Sequence, residues 1–261
     1  MFDYHMQSAM SYDTDSDAGA MALQALAMGL KEICFTDHID YSRCIPHGEI
    51  SFRADDYRRY YRDLGVPGLR IRHGVELGLT EHNVREADAE LRRYPYDFVI
   101  GSIHHVDDLD IYLPEYWADK TPEQAERRYF ETMLSCVRRH DAFDVLGHIT
   151  YIAKSPSNPR RRVISYEDYP EYFDEILKIL VAKGKGIEIN TSGMDIAGDF
   201  LPGEAFLRRF KELGGRLVTV GSDAHAPERV GRHIPEALSM LREIFGYVCT
   251  FEGRRPIFHP L

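Results

Sequence analysis

The sequence predicts an α/β fold in which parallel strands are connected by helices. Short apolar runs rich in β-branched residues alternate with longer segments of helical periodicity along the 261-residue chain. The alternation repeats seven times, and no low-complexity linker interrupts it. Seven βα units in series can close into a barrel or form an open, doubly wound sheet, and the alternation alone does not choose between them.

The elements follow one another at short intervals. Strands are predicted at residues 2–4, 32–36, 70–76, 97–102, 144–147, 186–190 and 217–221. Helices are predicted at residues 16–28, 55–64, 83–93, 122–139, 166–182, 203–213 and 235–245, and several of them end at a glycine, which is common at helix C-termini. The long connections 106–121 and 155–163 follow strands, and the tail 247–261 is predicted to be one short strand with a proline-bounded end.

Composition and charge narrow the functional classes. Hydrophobic residues make up 44% of the chain, enough for a large core, and the formal net charge is −10. A general nucleic-acid binder is normally basic, so we expect no nucleic-acid partner. The four cysteines are scattered without a CxxC pair, as in proteins with reduced thiols. No apolar run approaches the length of a membrane span, so we expect a cytoplasmic protein without a membrane partner.

Side chains of the types that bind metals follow each predicted strand. In chain order they are His5, Asp37, His38, Glu76, His104, His105, His148, Glu188, Asn190, Asp223 and His225. The carboxyl ends of barrel strands meet at one face, so these side chains would meet there. Imidazole and carboxylate are ligands for Zn²⁺, Mn²⁺ and Fe²⁺, and a carboxylate such as Glu76 can bridge two cations. The pattern predicts a cation cluster that activates water, with phosphate esters as natural substrates.

The motifs around these residues resemble those of the polymerase and histidinol phosphatase (PHP) superfamily. They are DYHMQSAMSYDTD, CFTDHID, HGVELGL, YDFVIGSIHH, DVLGHITYI, GIEINTSG and TVGSDAH, in this order along nearly the whole chain. Within the superfamily, the chain is most similar to the histidinol-phosphate phosphatases of bacterial histidine biosynthesis. The resemblance implies a distorted (β/α)7 barrel of the TIM-like type, formed by a single metallophosphoesterase domain over residues 1–261. It also implies hydrolysis of L-histidinol phosphate to L-histidinol and phosphate.

The resemblance further implies two or three divalent cations, which would be zinc, manganese or iron. The implied ligands are His5, Gln7, Glu76 and Asp223 for the first cation, Glu76, His104 and His148 for the second, and Asp13, His38 and His225 for the third. Gln7 departs from the family pattern, which has histidine at that position. A neutral carbonyl oxygen is a poorer donor to Zn²⁺ than imidazole is, so the first cation should bind weakly, be a harder ion or be absent.

The mechanism implied by the resemblance is attack of a metal-bridging hydroxide on phosphorus. Three residues are expected to be catalytic: Glu76 as the bridging carboxylate, and Asp223 or His225 as a group that helps the alkoxide to leave. The expected substrate-binding residues are Arg43, His105, Lys154, Arg160 and Asn190. The basic residues among them follow strands and would bind the phosphate dianion. Asp40 and Glu115 are further candidate acceptors for the imidazole and amine, and Tyr41 could stack on the imidazole.

Three other functions remain open from the sequence. One is a phosphoesterase of the same superfamily that acts on another small phosphate ester or a nucleotide. A second is a metal-poor, non-catalytic binding protein, in which Gln7 would mark the loss of one ligand. A third is hydrolysis of an amide or lactone in a metal-dependent barrel. The ligand spacing argues against this third function, because no His-x-His pair remains and no lysine stands at a strand end.

Overall fold

The computed structural model describes residues 1–41, 49–160 and 162–261, so the prediction for Arg43 lies outside the described residues. The strands are β1 (Phe2–Asp3), β2 (Glu32–Phe35), β3 (His38–Tyr41), β4 (Glu49–Ile50), β5 (Arg70–Gly78), β6 (Phe98–Ser102), β7 (His105–Val106), β8 (Leu109–Asp110), β9 (Val145–Leu146), β10 (Gly186–Asn190), β11 (Val218–Gly221), β12 (Tyr247–Glu252) and β13 (Arg255–Pro260). The helices are α1 (Ala18–Ala27), α2 (Ala54–Tyr61), α3 (Val84–Arg93), α4 (Pro114–Trp117), α5 (Pro122–Arg139), α6 (Pro170–Ala182), α7 (Glu204–Glu212) and α8 (Ile234–Ile244).

Parallel strands in the order β1-β2-β5-β6-β9-β10-β11 form the main sheet. Its two edges meet through backbone hydrogen bonds. The Tyr4 amide donates to the Val220 carbonyl at 2.9 Å, and the Asp223 amide donates to the His5 carbonyl at 2.8 Å. The sheet is therefore nearly closed into a barrel, and the helices cover its outside. This confirms the (β/α)7 prediction over the open sheet.

Helix α5 shows how the sequence places a helix on the barrel. A capping box begins it: Thr121 Oγ1 accepts from the Gln124 amide at 3.2 Å, and Gln124 Oε1 accepts from the Thr121 amide at 2.8 Å. Phe130, Met133 and Val137 recur at helical spacing and are buried. Each large apolar side chain buried in this way contributes about 1.5–3 kcal/mol to folding. The bounds agree with the predicted helix 122–139.

Two predicted segments differ in secondary structure from the expectation. The predicted helix 166–182 is divided into a short 3₁₀ turn, Tyr166–Asp168, and helix α6, which begins at Pro170. The division follows from Pro170, because proline favours the first helical position and disfavours a helical residue before it. The connection 106–121, expected to be irregular, contains β8 and α4.

The C-terminal tail forms an antiparallel hairpin of β12 and β13, not the single strand that was predicted. Gly253 and Arg254 form its two-residue turn, and both have positive φ, as such turns require. The hairpin closes the amino end of the barrel, where Phe251 packs with Tyr4 and Phe98. The opposite end, at the carboxyl ends of the strands, remains open to a cavity.

Strands β2 and β3 run along the same neighbour, β5, with a bend at Thr36 and Asp37. The bend places His38 beside Glu76 in the register of β3 and β5. No helix of the described residues is long and apolar enough to cross a bilayer.

Candidate metal centre

The side chain of Glu76 lies at the centre of a buried cluster at the carboxyl ends of the strands. Its Oε2 lies 2.9 Å from His5 Nε2 and accepts a hydrogen bond from Gln7 Nε2 at 2.9 Å. Its Oε1 faces the other side, at 2.7 Å from His148 Nε2 and 3.1 Å from His104 Nε2. The two oxygens of one carboxylate thus face two different groups of ligands, which is the arrangement that a bridging carboxylate needs.

A second group lies next to Glu76 and consists of Asp13, His38 and His225. His225 Nε2 lies 2.9 Å from Asp13 Oδ2, and His38 Nε2 lies 3.6 Å from the same oxygen. One ligand atom of each residue lies within 4.8 Å of the others. These are the three residues implied for the third cation. Among the described residues, two further groups have this spacing: His5 with Glu76 and His148, and His38 with His104 and Asp40, which is not one of the implied ligands.

Asp223 completes the wall of the cluster on the side of His5. Its Oδ1 lies 3.6 Å from His5 Nε2, and its Oδ2 accepts a hydrogen bond from Lys154 Nζ at 2.8 Å. Its backbone φ is 54°, which is unusual for a residue with a side chain and is typical of functional sites. Burial would raise the pKa of Asp223, but the charges of Lys154, His5 and His225 outweigh it and hold the pKa below its ordinary value.

Electrostatics within the cluster favour ionised carboxylates. Burial alone would raise the pKa of Glu76, but its neighbours His5, His38 and His104 hold the pKa well below the ordinary value. Burial would likewise lower the pKa of His5, and the charges of Glu188 and Glu76 reverse that effect and raise the pKa. The carboxylates are therefore available as ligands at neutral pH, which is the state that a divalent cation requires.

Buried polar atoms of this cluster test whether cations fit. Four of them make no hydrogen bond with the described residues: Gln7 Oε1, His38 Nδ1, Asp40 Oδ2 and His148 Nδ1. Buried polar atoms without partners are rare in proteins and costly. Such atoms also occur elsewhere, as at Glu126 and Tyr129, but these four lie among imidazoles and carboxylates, a donor set that suits Zn²⁺, Mn²⁺ or Fe²⁺. The residues therefore fit a cluster of divalent cations.

The sequence analysis places Glu188 among the metal-binding types of side chain at the strand ends, and the structure places it behind His5 and His148. Its Oε1 lies 2.5 Å from His5 Nδ1, and its Oε2 accepts a hydrogen bond from the His148 amide at 2.9 Å. A side chain on Gly221 would bring a Cβ to 2.6 Å from Glu188 Oε1, so the glycine makes room for this contact. Glu188 thus orients His5 and ties two strand ends together.

Asp40 has the same relation to His104. Its Oδ1 lies 2.8 Å from His104 Nδ1, so the other ring nitrogen of His104 is directed at Glu76. Asp40 therefore contacts the candidate ligand His104, whereas its place in the sequence suggested an acceptor for the substrate. Ser102, which the sequence analysis missed, donates to Glu76 Oε1 at 2.6 Å. Its signal was the motif IGSIHH, in which Ser102 is the last residue of the buried strand β6 and the histidines follow shortly after it.

Asp37 lies at a strand end but holds a loop instead of a cation. Its Oδ1 accepts hydrogen bonds from the Ser8 amide at 2.7 Å and from Ser11 Oγ at 3.2 Å, and its Oδ2 accepts one from the Tyr61 hydroxyl at 2.6 Å. These bonds fix the segment after β1, which carries both Gln7 and Asp13. The loop is thereby positioned over the cluster.

A cavity of about 270 Å³ lies over the cluster and is lined by its ligands together with Lys154, Asp110, Tyr12, Tyr112 and Tyr151. Lys154, expected to bind phosphate, is therefore in the site. Besides its bond to Asp223, its ammonium donates to Ser192 Oγ at 3.0 Å. Its ammonium also lies over the ring of Tyr151, 5.7 Å from the centroid, so cationic, aromatic and acidic side chains all line the cavity.

Other expected substrate-binding residues do not line this cavity. Arg160 donates to Glu126 Oε2 at 3.0 Å, because that buried carboxylate on α5 needs a cationic partner. Asn190 accepts from the Ser192 amide at 3.1 Å and so caps the turn after β10. His105 is buried, with Nδ1 3.8 Å from Asp40 Oδ1.

Two further residues named for the imidazole also lie elsewhere. The hydroxyl of Tyr41 reaches Glu90 at 3.5 Å, and Glu115 is exposed on α4. Both placements follow from side-chain direction, which strand and helix positions alone did not determine.

The nearly closed barrel, with its histidines and carboxylates at one mouth, defines the class of metal-dependent hydrolases. The chain belongs to the PHP family, because the PHP domain model matches residues 3–192. A protein of Clostridium acetobutylicum named "Probable histidinol-phosphatase" is 32% identical over 247 residues, which are 92% of this chain and 92% of that protein. The histidinol-phosphatase of Lactococcus lactis is 30% identical over 259 residues, which are 97% of this chain and 95% of that protein.

A solved structure extends the similarity to three dimensions. The crystal structure of histidinol phosphate phosphatase from Lactococcus lactis, complexed with zinc, L-histidinol and phosphate, matches with a TM-score of 0.86 at 29% identity. The match covers 98% of this chain and 98% of that chain. The fold implied by the sequence motifs is thereby confirmed.

Proposed function

We propose that this protein is a metal-dependent phosphomonoesterase that hydrolyses L-histidinol phosphate to L-histidinol and phosphate. The observation that carries the proposal is the cavity over the Glu76 cluster, which is lined by candidate ligands for cations together with Lys154, tyrosines and Asp110. The substrate has a phosphate dianion at one end and an imidazole and ammonium at the other, and the lining offers a cation for the first and aromatic rings with a carboxylate for the second. Near full-length similarity to histidinol-phosphatases supports the same assignment.

Two or three divalent cations would be held by the nine ligands inferred from the motifs: His5, Gln7, Asp13, His38, Glu76, His104, His148, Asp223 and His225. Zinc, manganese and iron suit this donor set. When bound, such cations neutralise charge on phosphoryl oxygens and lower the pKa of water. Gln7 offers a neutral oxygen where a histidine would offer nitrogen, so its cation should be the weakest bound.

Lys154 is proposed to bind the phosphoryl group. Its ammonium is held between Asp223 Oδ2 and Ser192 Oγ, at 2.8 and 3.0 Å, and it lines the cavity. A pre-positioned ammonium of this kind can form a charge-assisted hydrogen bond to a phosphate oxygen without a large loss of side-chain entropy. It also offsets the negative charge of Asp223, which would otherwise repel the substrate.

Asp223 and His225 are proposed to assist the departure of the alkoxide. They lie beside Lys154 on the cavity wall, in a segment that is fixed from behind. Thr14 Oγ1 and Ser16 Oγ both donate to the His225 carbonyl, each at 2.7 Å. Both side chains face the cavity, but the pKa of Asp223 is held below its ordinary value, so this carboxylate is ionised and His225 is the one that could supply the proton to the leaving oxygen.

The histidinol end of the substrate is proposed to lie near Tyr112, Tyr151 and Asp110. Tyr112 stacks on Tyr151 with ring centroids 5.3 Å apart, and the Tyr112 amide donates to Asp110 Oδ1 at 2.8 Å. A planar imidazole can pack against these rings, and a carboxylate at Asp110 can accept from the ammonium group.

A phosphate-release assay tests the proposal. The purified protein, stripped of metal and reconstituted separately with Zn²⁺, Mn²⁺ and Fe²⁺, is given histidinol phosphate, glycerol phosphate and nucleoside monophosphates. We expect kcat/KM for histidinol phosphate to exceed that for the others by about 100-fold or more, as when a site forms specific polar contacts to its substrate. Equal values would refute the substrate, and absence of both bound metal and activity would refute the phosphoesterase.

A further inference from the structure

A second cavity, of about 280 Å³, opens beside the metal-ligand cluster. It shares Lys154, Asp223 and His225 with the cavity over the cluster, so the two spaces adjoin at these residues. We call it the side cavity. Its outer wall contains Asp195, Arg229, Arg232 and His233, from the segments that follow β10 and β11.

The polar side chains of this wall converge on Asp195. Arg229 Nη1 donates to Asp195 Oδ2 at 2.6 Å, and Arg232 Nη2 donates to Asp195 Oδ1 at 2.7 Å. His233 Nε2 lies 3.2 Å from the same Oδ1. Two guanidinium groups share this one carboxylate, so Asp195 alone does not neutralise both of them, and Glu236 Oε1 lies 3.5 Å from His233 Nδ1.

The two arginines retain donors for a ligand. Their side chains are 50% and 47% exposed, although they line a cavity next to a buried site. Each guanidinium has five N–H groups, and Asp195 takes one from each arginine. The backbone of the wall is fixed, because Thr191 Oγ1 donates to the Arg232 carbonyl at 2.6 Å.

We propose that Arg229 and Arg232 form an oxyanion-binding wall that takes a phosphate dianion beside the metal cluster. The phosphate is either the phosphoryl group of the substrate or the free phosphate left after hydrolysis, and only the first rests on the function proposed above. Guanidinium is suited to this task because its planar donors match two oxygens of a phosphate at once. Asp195 holds the arginines in place and competes with the phosphate for them.

Because of this competition, the arginine variants and the Asp195 variant should change the inhibition constant for phosphate in opposite directions. Arg229→Gln and Arg232→Gln remove a donor, so the KM for substrate and the inhibition constant for inorganic phosphate should each rise about fivefold or more. Asp195→Asn keeps the shape of the side chain but removes its charge. The arginines are then freed for phosphate, and the inhibition constant for phosphate should fall by about two- to fivefold.

The matched control is Arg208→Gln. Arg208 also pairs with a single carboxylate, since its Nε donates to Glu204 Oε1 at 2.6 Å, but it is exposed on α7. Its loss should leave the KM and the inhibition constant unchanged. If the wall only holds the loops together, Asp195→Asn and the two arginine variants will weaken phosphate inhibition alike, and the proposal is overturned.

Two arms of the experiment separate the sources of phosphate. Isothermal calorimetry with inorganic phosphate on the metal-loaded protein measures the free anion, and initial rates with histidinol phosphate measure the substrate. Weaker phosphate binding in the arginine variants supports the wall even if histidinol phosphate is a poor substrate, and then the proposed substrate alone fails. Phosphate affinity unchanged in both arginine variants would overturn the wall, whatever the substrate.

Discussion

The two ends of the barrel differ in the partners that they provide for a buried carboxylate. At the amino end, Glu32 is 1% exposed and is paired with Arg70 at 2.8 Å and Arg72 at 3.4 Å. At the carboxyl end, the carboxylate of Glu76 is fully buried with histidines on both of its oxygens, and polar atoms around it lack partners. Charges at the amino end are neutralised by the chain itself. The carboxyl end retains buried polar atoms that make no hydrogen bond within the described residues and that cations could contact, so the difference separates the part that stabilises the fold from the candidate site.

Among substitutions that test this difference between the two ends, Glu76→Gln should have the largest effect on metal binding and activity. Glu76→Gln keeps the side-chain volume but removes the charge between the two groups of ligands, so bound metal should be lost and kcat should fall by about 10³-fold or more. Metal content by mass spectrometry and phosphate release measure the two losses. Glu32→Gln is the matched control at the other end, and full metal occupancy in Glu76→Gln would show that this carboxylate does not bridge the cations.

A smaller effect is expected behind the ligands. Glu188→Gln and Asp40→Asn leave every proposed ligand in place but weaken the contacts that orient His5 and His104. Loss of such partners typically reduces metal affinity about 10- to 100-fold. Competition with a chelator measures zinc affinity directly, and excess metal should restore most of kcat. If kcat stays low at saturating metal while affinity is normal, these residues act on the substrate and not through the ligands.

A substitution at the amino end of the barrel should change stability alone. Glu32→Gln leaves Arg70 without its buried partner, and Arg72 retains Glu252 at 3.0 Å. The free energy of unfolding should fall by about 1–3 kcal/mol, because a buried charge pair is broken. Denaturant unfolding measures the change, and kcat with zinc affinity should match the wild type. Reduced zinc affinity here would mean that the two ends are coupled and that the contrast between them is false.

The sequence predicted which residue positions lie at the site on which these predictions depend. It did not predict the directions in which their side chains point. Strand order and the motifs brought His5, Glu76 and His148 to one mouth, because carboxyl ends of parallel strands converge. They could not show that Glu188 turns toward a ring nitrogen of His5, since that depends on side-chain rotation. Arg160 was misplaced for a similar reason, because its partner Glu126 lies on a helix far away in sequence.

The side cavity and the hairpin could not be predicted from the sequence, for another reason. Arg229 lies 34 residues from Asp195, and their contact depends on how the two loops after β10 and β11 are arranged. The hairpin turn at Gly253 and Arg254 lacks the Asn-Gly or Asp-Gly signal that marks most such turns. The tail was therefore predicted to be one short strand with a proline-bounded end, and the second strand was missed.

The smallest expected effect is a gain at Gln7, and it addresses how many cations the cluster holds. Gln7 is fully buried, its Nε2 donates to Glu76 Oε2 at 2.9 Å, and its Oε1 makes no hydrogen bond with the described residues. Gln7→His replaces a neutral oxygen with an imidazole nitrogen beside the same carboxylate. Affinity for the weakest-bound zinc should therefore rise about tenfold, and metal content after mild dialysis should increase. Gln7→Asn, which retains the amide but shortens its reach, should lower that metal content below the wild-type level. A Gln7→His variant with the same stoichiometry and affinity as the wild type would show that position 7 does not contribute a ligand.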